Sequence, residues 1–117
     1  MKALTVKFCL SDSEFMTAVR LTVGAVCTLA DVDVDTLEDM KVCVTESCLF
    51  LKSCGYENVS VKLGYGEGNG VFAEVNGDGG TPKNCDNEFS LALISAIVPD
   101  CEIKREGEIV NGLILKI

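Results

Sequence analysis

Few side chains in this 117-residue sequence can do chemistry. It has no His, which removes Ser-His-Asp and Cys-His catalysis and His-ligated metals. Any catalysis must run on carboxylates, Lys, Cys or a bound metal-nucleotide. One carboxylate stands apart. Glu46 is the single charge in the apolar stretch Val42-Cys43-Val44-Thr45-Glu46-Ser47-Cys48-Leu49-Phe50-Leu51. With about 100° of rotation per residue, it falls between Val42 and Phe50, on the edge shared by Asp39 and Ser53. Two readings follow. It borders the core and faces a pocket, where partial burial raises a carboxyl pKa toward the general-base range. Or it belongs to a solvated stripe with Asp39 and Ser53.

The seven cysteines are Cys9, Cys27, Cys43, Cys48, Cys54, Cys85 and Cys101. Their odd number and the lack of a C-x-x-C pair argue against a disulfide framework and a zinc knuckle. Most lie in apolar stretches, where a free thiol acts as a small hydrophobe. The glycine-rich Gly64–Gly70 loop lacks the G-x-x-x-x-G-K-[ST] spacing and no helix follows it, so it reads as a hairpin turn. Asn76-Gly77-Asp78-Gly79-Gly80 reads, by residue type alone, as a turn too. Lys83 is a loop cation, solvated or on a phosphate.

The elements that carry these residues are legible in the spacing. Residues 3–10 alternate as a strand with Leu4, Val6 and Phe8 on one face. Ser11-Asp12-Ser13-Glu14 opens a first helix, running to about Ala30. Phe15, Val19, Val23 and Val26 are expected to face the core. Asp33 or Asp35 caps a second helix from about Thr36 to Cys54, stopped by Gly55. It is apolar nearly all round and so is expected to be buried. Val59, Val61 and Leu63 form one strand and Val71, Ala73 and Val75 its hairpin partner. Asn76–Asn87 is expected as a polar loop, and a third helix spans about Glu88 to Val98, ended by Pro99. Cys101–Arg105 and Ile109–Ile117 close the chain as a hairpin. The order β-α-α-β-β-α-β-β suggests an α+β domain with helices on one sheet face.

Composition sets the outer limits. The length suits one domain over residues 1–117. At 48% hydrophobic and 24% charged residues, a core is expected and disorder is not. The net charge of −8 repels phosphate backbones and anionic lipid, so neither nucleic acid nor a membrane surface is expected as a partner. Basic proteins remain. The first residues lack a secretory pattern and no apolar run reaches bilayer length, so a cytoplasmic location is expected.

A resemblance adds to this. Val19-Arg20-Leu21-Thr22-Val23, Thr36-Leu37-Glu38-Asp39-Met40-Lys41-Val42 and Val44-Thr45-Glu46-Ser47-Cys48 resemble the serine kinase/anti-sigma-factor family of bacterial partner-switching systems. That family sits in the wider gyrase and histidine-kinase ATPase superfamily. Phe89-Ser90-Leu91-Ala92-Leu93-Ile94 and the final hairpin resemble its closing helix and strands. The resemblance spans essentially the whole chain. It implies a two-layer sandwich with a mixed, mostly antiparallel sheet covered on one face by helices. It also implies ATP with Mg²⁺ as cofactor, a sigma factor or an antagonist as partner, transcription regulation and a homodimer.

Carried over residue by residue, the family's E-x-x-x-N places Glu46 as the activating Glu and Phe50 at the Asn that holds Mg²⁺. A phenyl ring offers no oxygen, and Mg²⁺ demands oxygen. The family's D-x-G-x-G, whose Asp takes the adenine amino group, falls on Gly77 without a gap. With a one-residue slip it falls on Asp78 and Gly80. The short loop and the Gly-free start of the third helix show no phosphate cradle. By the same analogy Arg20 is a partner contact. The expected function is therefore a protein-binding regulator with a degenerate ATP site. One alternative is an ATP-dependent protein serine kinase, with Glu46 as base, Asp78 on adenine and Asp39 or Ser47 holding the metal through water. The other is a small-ligand domain with an apolar pocket lined by Phe50, Cys43 and Cys54.

Overall fold

A computed structural model describes residues 2–66, 70–85 and 88–117. Part of the Gly64–Gly70 turn, and the end of the Asn76–Asn87 loop, lie outside the described residues. The elements run β1 (Lys2–Cys9), α1 (Phe15–Leu29), α2 (Val34–Ser53), β2 (Asn58–Tyr65), β3 (Val71–Asp78), α3 (Glu88–Ile97), β4 (Asp100–Glu106) and β5 (Ile109–Lys116). The strands form one sheet in the order β1-β2-β3-β5-β4. Every pairing is antiparallel, where a mixed sheet was expected.

Alternation explains which face is covered. Val59, Val61 and Leu63 of β2 pair with Gly77, Val75 and Ala73 of β3, and all but Gly77 are buried. Leu113 and Leu115 of β5 continue that face and are fully buried. Against it pack α2 over β2, β3 and β5, α1 over β2 and α3 over β4. The opposite face carries Lys62, Glu74 and Lys104. There the Lys104 Nζ donates to Glu74 Oε1 at 2.8 Å. This pair reaches across β5 at Gly112, where a Cβ would meet Lys104 Cε at 2.8 Å.

Local chemistry sets the ends of α2. The Asp33 carboxylate accepts from the Thr36 N–H at 2.7 Å, an N-cap that satisfies one of the helix's unpaired donors. Hydrogen bonding from the Thr36 side chain first, and from its backbone N–H second, holds the Asp33 carboxyl below its ordinary value. At the other end Gly55 takes φ of 103°, which a residue with a Cβ rarely adopts.

Four expectations are corrected. Phe15 is 44% exposed. As the first residue of α1 it sits at the rim, its ring tilted against Phe8 of the edge strand β1. Asn76, Gly77 and Asp78 belong to β3, paired with Ser60, Val59 and Asn58. Helix α2 is not buried all round, because Val42 and Leu49 are 42% and 45% exposed. Finally, Cys54 and Cys85 are joined as a disulfide. Closing a loop over a sequence separation of 31 residues stabilises the fold by about 3–4 kcal/mol in the chain-entropy account. The other five cysteines are free, and Cys27, Cys43 and Cys48 fill the core as small apolar groups. No described helix is long and apolar enough to cross a membrane.

Candidate functional site

Two of the singled-out residues meet in space. Helices α1 and α2 pack side by side on the sheet, leaving a groove along their outer junction. It holds about 480 Å³ and is lined by Thr17, Arg20, Leu21, Glu38, Lys41, Val42, Thr45 and Glu46. The helices approach closely because Gly24 faces Lys41, where a Cβ would lie 3.2 Å from Lys41 Cε. The Lys41 stem therefore crosses α1 while its ammonium stays 3.6 Å from Glu38. The Arg20 Nε donates to Thr45 Oγ1 at 3.3 Å. That bond uses one of the five N–H donors of the guanidinium, and Arg20 also lines the groove. Arg20 is exposed and Glu46 half-buried. Glu46 thus takes the first of its two readings in part: it borders the core and faces a pocket, one open to solvent.

The groove combines an apolar wall of Leu21 and Val42 with two cations and two carboxylates. Such a surface binds by shape, with paired charges setting orientation. Leu21 is 68% exposed, so the apolar wall continues outward from the groove.

The remaining candidates lie elsewhere. Phe50 is fully buried, one turn beyond Glu46 but rotated into the core. Position 50 offers no oxygen and its ring is enclosed, so the residues present do not fit a Mg²⁺ ion there. Ser47 is also fully buried, and its hydroxyl donates to the Cys43 carbonyl at 2.7 Å. Asp39 is exposed. Among the described residues no three Asp, Glu or Cys side chains converge to hold a metal. The apolar lining expected from Phe50, Cys43 and Cys54 is core: they are 0%, 0% and 1% exposed, and Cys54 is bonded to Cys85.

Gly77, Asp78 and Gly80 gather at the far end of β3, beside the C-terminus of α2. The space above Gly77 is filled by the Tyr56 ring, which an added Cβ would meet at 2.5 Å. Tyr56 is itself buried, and its hydroxyl donates to the Val110 carbonyl at 2.9 Å. Asp78 is exposed and pairs with Asn58 in the ladder. Gly80 takes φ of 73° and sits against the Gly55 carbonyl. Glu46 stands nine residues before Gly55. At about 1.5 Å of rise per residue, the helical part of that separation alone exceeds the reach of any side chain. Lys83 is exposed, its backbone N–H bonded to the Cys54 carbonyl. Sequence reasoning missed the groove's other members, Thr17, Leu21, Glu38, Lys41, Val42 and Thr45. The signal for them was Gly24, which marks where two helices touch.

Four of the five free thiols are quiet. Burial pushes the Cys43 thiol up to about 12, helped by the Asp39 charge. Burial alone pushes Cys48 up to about 12. Burial likewise raises Cys27 and Cys101. Thiols held protonated are poor nucleophiles and poor metal ligands. No protein-family model matches this sequence, and no curated protein matches it.

Proposed function

We propose that this chain is a protein-binding regulator of the anti-sigma-factor type. It engages its partner through the α1–α2 groove around Arg20 and Glu46, and it does not work through ATP. One observation carries the reading. Phe50, at the position where the resembled family holds its metal, is closed into the core, while Arg20 and Glu46 remain open on a shared groove. Phosphoryl transfer depends on charge neutralisation by a bound metal, and the residues here do not supply its ligand. Three further features support the reading. The helices lie on one face of the sheet, an arrangement the resembled fold shares, although the sheet here is antiparallel throughout. The Gly77 position is packed under Tyr56. The charge of −8 suits a basic protein surface. A cytoplasmic homodimer acting on a sigma factor or its antagonist completes the proposal.

The test is affinity capture from a bacterial lysate with tagged wild-type chain and with Arg20→Ala, bound proteins being identified by mass spectrometry. The wild type is expected to retain a sigma factor or a small phosphorylatable antagonist, and the variant to lose it. Arg20 is exposed and its charged guanidinium donates to the buried Thr45 hydroxyl, so the variant should lose about 1–3 kcal/mol of stability. Capture of neither partner class, or equal capture by both chains, would count against the proposal.

A further inference from the structure

The segment joining β3 to α3 is tied to the end of α2 in two independent ways. The first is backbone. The Thr81 N–H donates to the Gly55 carbonyl at 3.1 Å, and the Lys83 N–H to the Cys54 carbonyl at 2.9 Å. This seat needs glycine on both sides: a Cβ on Gly80 would meet the Gly55 oxygen at 2.3 Å, and one on Gly55 would meet the Thr81 oxygen at 2.6 Å. The second tie is covalent, between Cys54 and Cys85, whose Cα atoms lie 5.2 Å apart. We propose that Cys54 and Cys85 are a reversible thiol–disulfide clasp that locks the 79–85 segment onto the C-terminus of α2.

Three observations favour a reversible clasp over a permanent staple. The pair is isolated in a chain whose five other cysteines are free, so this is not a domain that depends on a disulfide framework. Its two members differ in access. Cys54 is buried, whereas Cys85 is half-exposed on the loop, where a small thiol or disulfide can reach its sulfur. The two backbone bonds, moreover, do not require the disulfide. They keep the Cys85 loop near Cys54 when the bond is open, so both thiols stay poised to close again.

The chemistry balances with a low-molecular-weight disulfide such as oxidised glutathione. The Cys85 thiolate attacks one glutathione sulfur, breaking the S–S bond and releasing one reduced glutathione. The Cys54 thiolate then attacks the Cys85 sulfur of the mixed disulfide and displaces the second. The protein loses two electrons and two protons, and the glutathione disulfide gains them. The reverse sequence opens the clasp. The other thiols compete poorly, since Cys43 and Cys48 are shut in the core. Cys9, half-exposed and 3.0 Å from the Ser11 hydroxyl, and Cys101, also half-exposed, are the two to control for.

The proposal stands apart from the partner-binding reading and is tested on the purified full chain without any partner. The chain is equilibrated in glutathione buffers of graded ratio, quenched, denatured and alkylated, and its mass is read. The wild type, Cys9→Ser and Cys101→Ser are all expected to gain two alkylatable thiols across the series, as monomers, with a midpoint inside it. Cys85→Ser is expected to alkylate fully in every buffer, whereas Cys54→Ser, which cannot resolve the mixed disulfide, is expected to carry one glutathione on Cys85 in the oxidising buffers. Hydrogen exchange of the Thr81 and Lys83 amides is expected to quicken on the order of tenfold in the reduced chain, because the covalent tie no longer limits local opening. The proposal is overturned by a bond that never forms, by one that resists every buffer, by a disulfide between chains, or by equal exchange of those two amides in both states.

Discussion

At position 50 a side chain that looks like damage to one function is also a pillar of the fold. Phe50 is among the largest fully buried side chains. Replacing a buried Phe by Ala typically costs about 3–5 kcal/mol, in lost transfer energy and a residual cavity. Domains of this kind are stable by only about 5–15 kcal/mol. Phe50→Ala is therefore expected to lose about 3–5 kcal/mol, read from the urea midpoint, and a loss under about 1 kcal/mol would show that the ring is not packed as described. Phe50→Asn should fare worse, because it adds an amide that must find partners in an apolar core. Placing an oxygen ligand at position 50 by that single change would unfold much of the chain. Legibility differs residue by residue for the same reason. Glu46 was visible as a lone charge in an apolar run, and Arg20 by resemblance, but their meeting in one groove depends on how closely α1 approaches α2. Phe15 carried the right spacing, yet a residue at the first turn of a helix overhangs the rim whatever its phase.

Among the elements, those with chemical punctuation were the ones the sequence made plain. Asp33 caps α2 and Gly55 ends it, and the β2–β3 alternation is regular because one face is buried. The strand end at Asn76-Gly77-Asp78 was hidden by its own residue types. Asn-Gly and Asp-Gly ordinarily signal a turn, but here glycine serves packing, making room for Tyr56. The Cys54–Cys85 bond was hidden by distance, since it joins a helix end to a loop through an approach that only the fold creates. The sheet's open face offers a test in solution. The Lys104 ammonium, donating a hydrogen bond to Glu74, holds that carboxyl below its ordinary value of 4.5. A carboxylate with a lowered folded-state pKa stabilises the fold above its unfolded pKa, and the contribution is lost as pH falls through the folded value. Both side chains are about 30% exposed, so solvent screens the pair and the effect is modest. Thermal denaturation below about pH 4.5 should thus fall less steeply for Glu74→Gln than for the wild type. Parallel curves would show that the pair carries no pH-dependent stability.

For the molecule as a whole, the decisive feature is where the candidate groups stand relative to one another. A nucleotide-handling site needs its base, its metal ligands and its base-recognising groups around one cavity, held within a fraction of an ångström. Here Glu46 opens on the α1–α2 groove, Phe50 points into the core, and Gly77, Asp78 and Gly80 lie at the far end of β3 under Tyr56 and Gly55. The net charge of −8 opposes the approach of a polyanion to any of these places. Calorimetric titration of the full chain with a non-hydrolysable ATP analogue, with and without Mg²⁺, is accordingly expected to give no heat of binding at physiological salt. Raising the salt should not change that result, because the obstacle is the missing ligand set as well as the repulsion, and salt screens only the latter. Binding that appears at high salt alone would mean that repulsion was the whole obstacle and that a usable pocket exists. Mg²⁺-dependent binding at physiological salt would mean that the chain rearranges to bring Glu46 and Asp78 to one site, and the ATP-independent reading would fall.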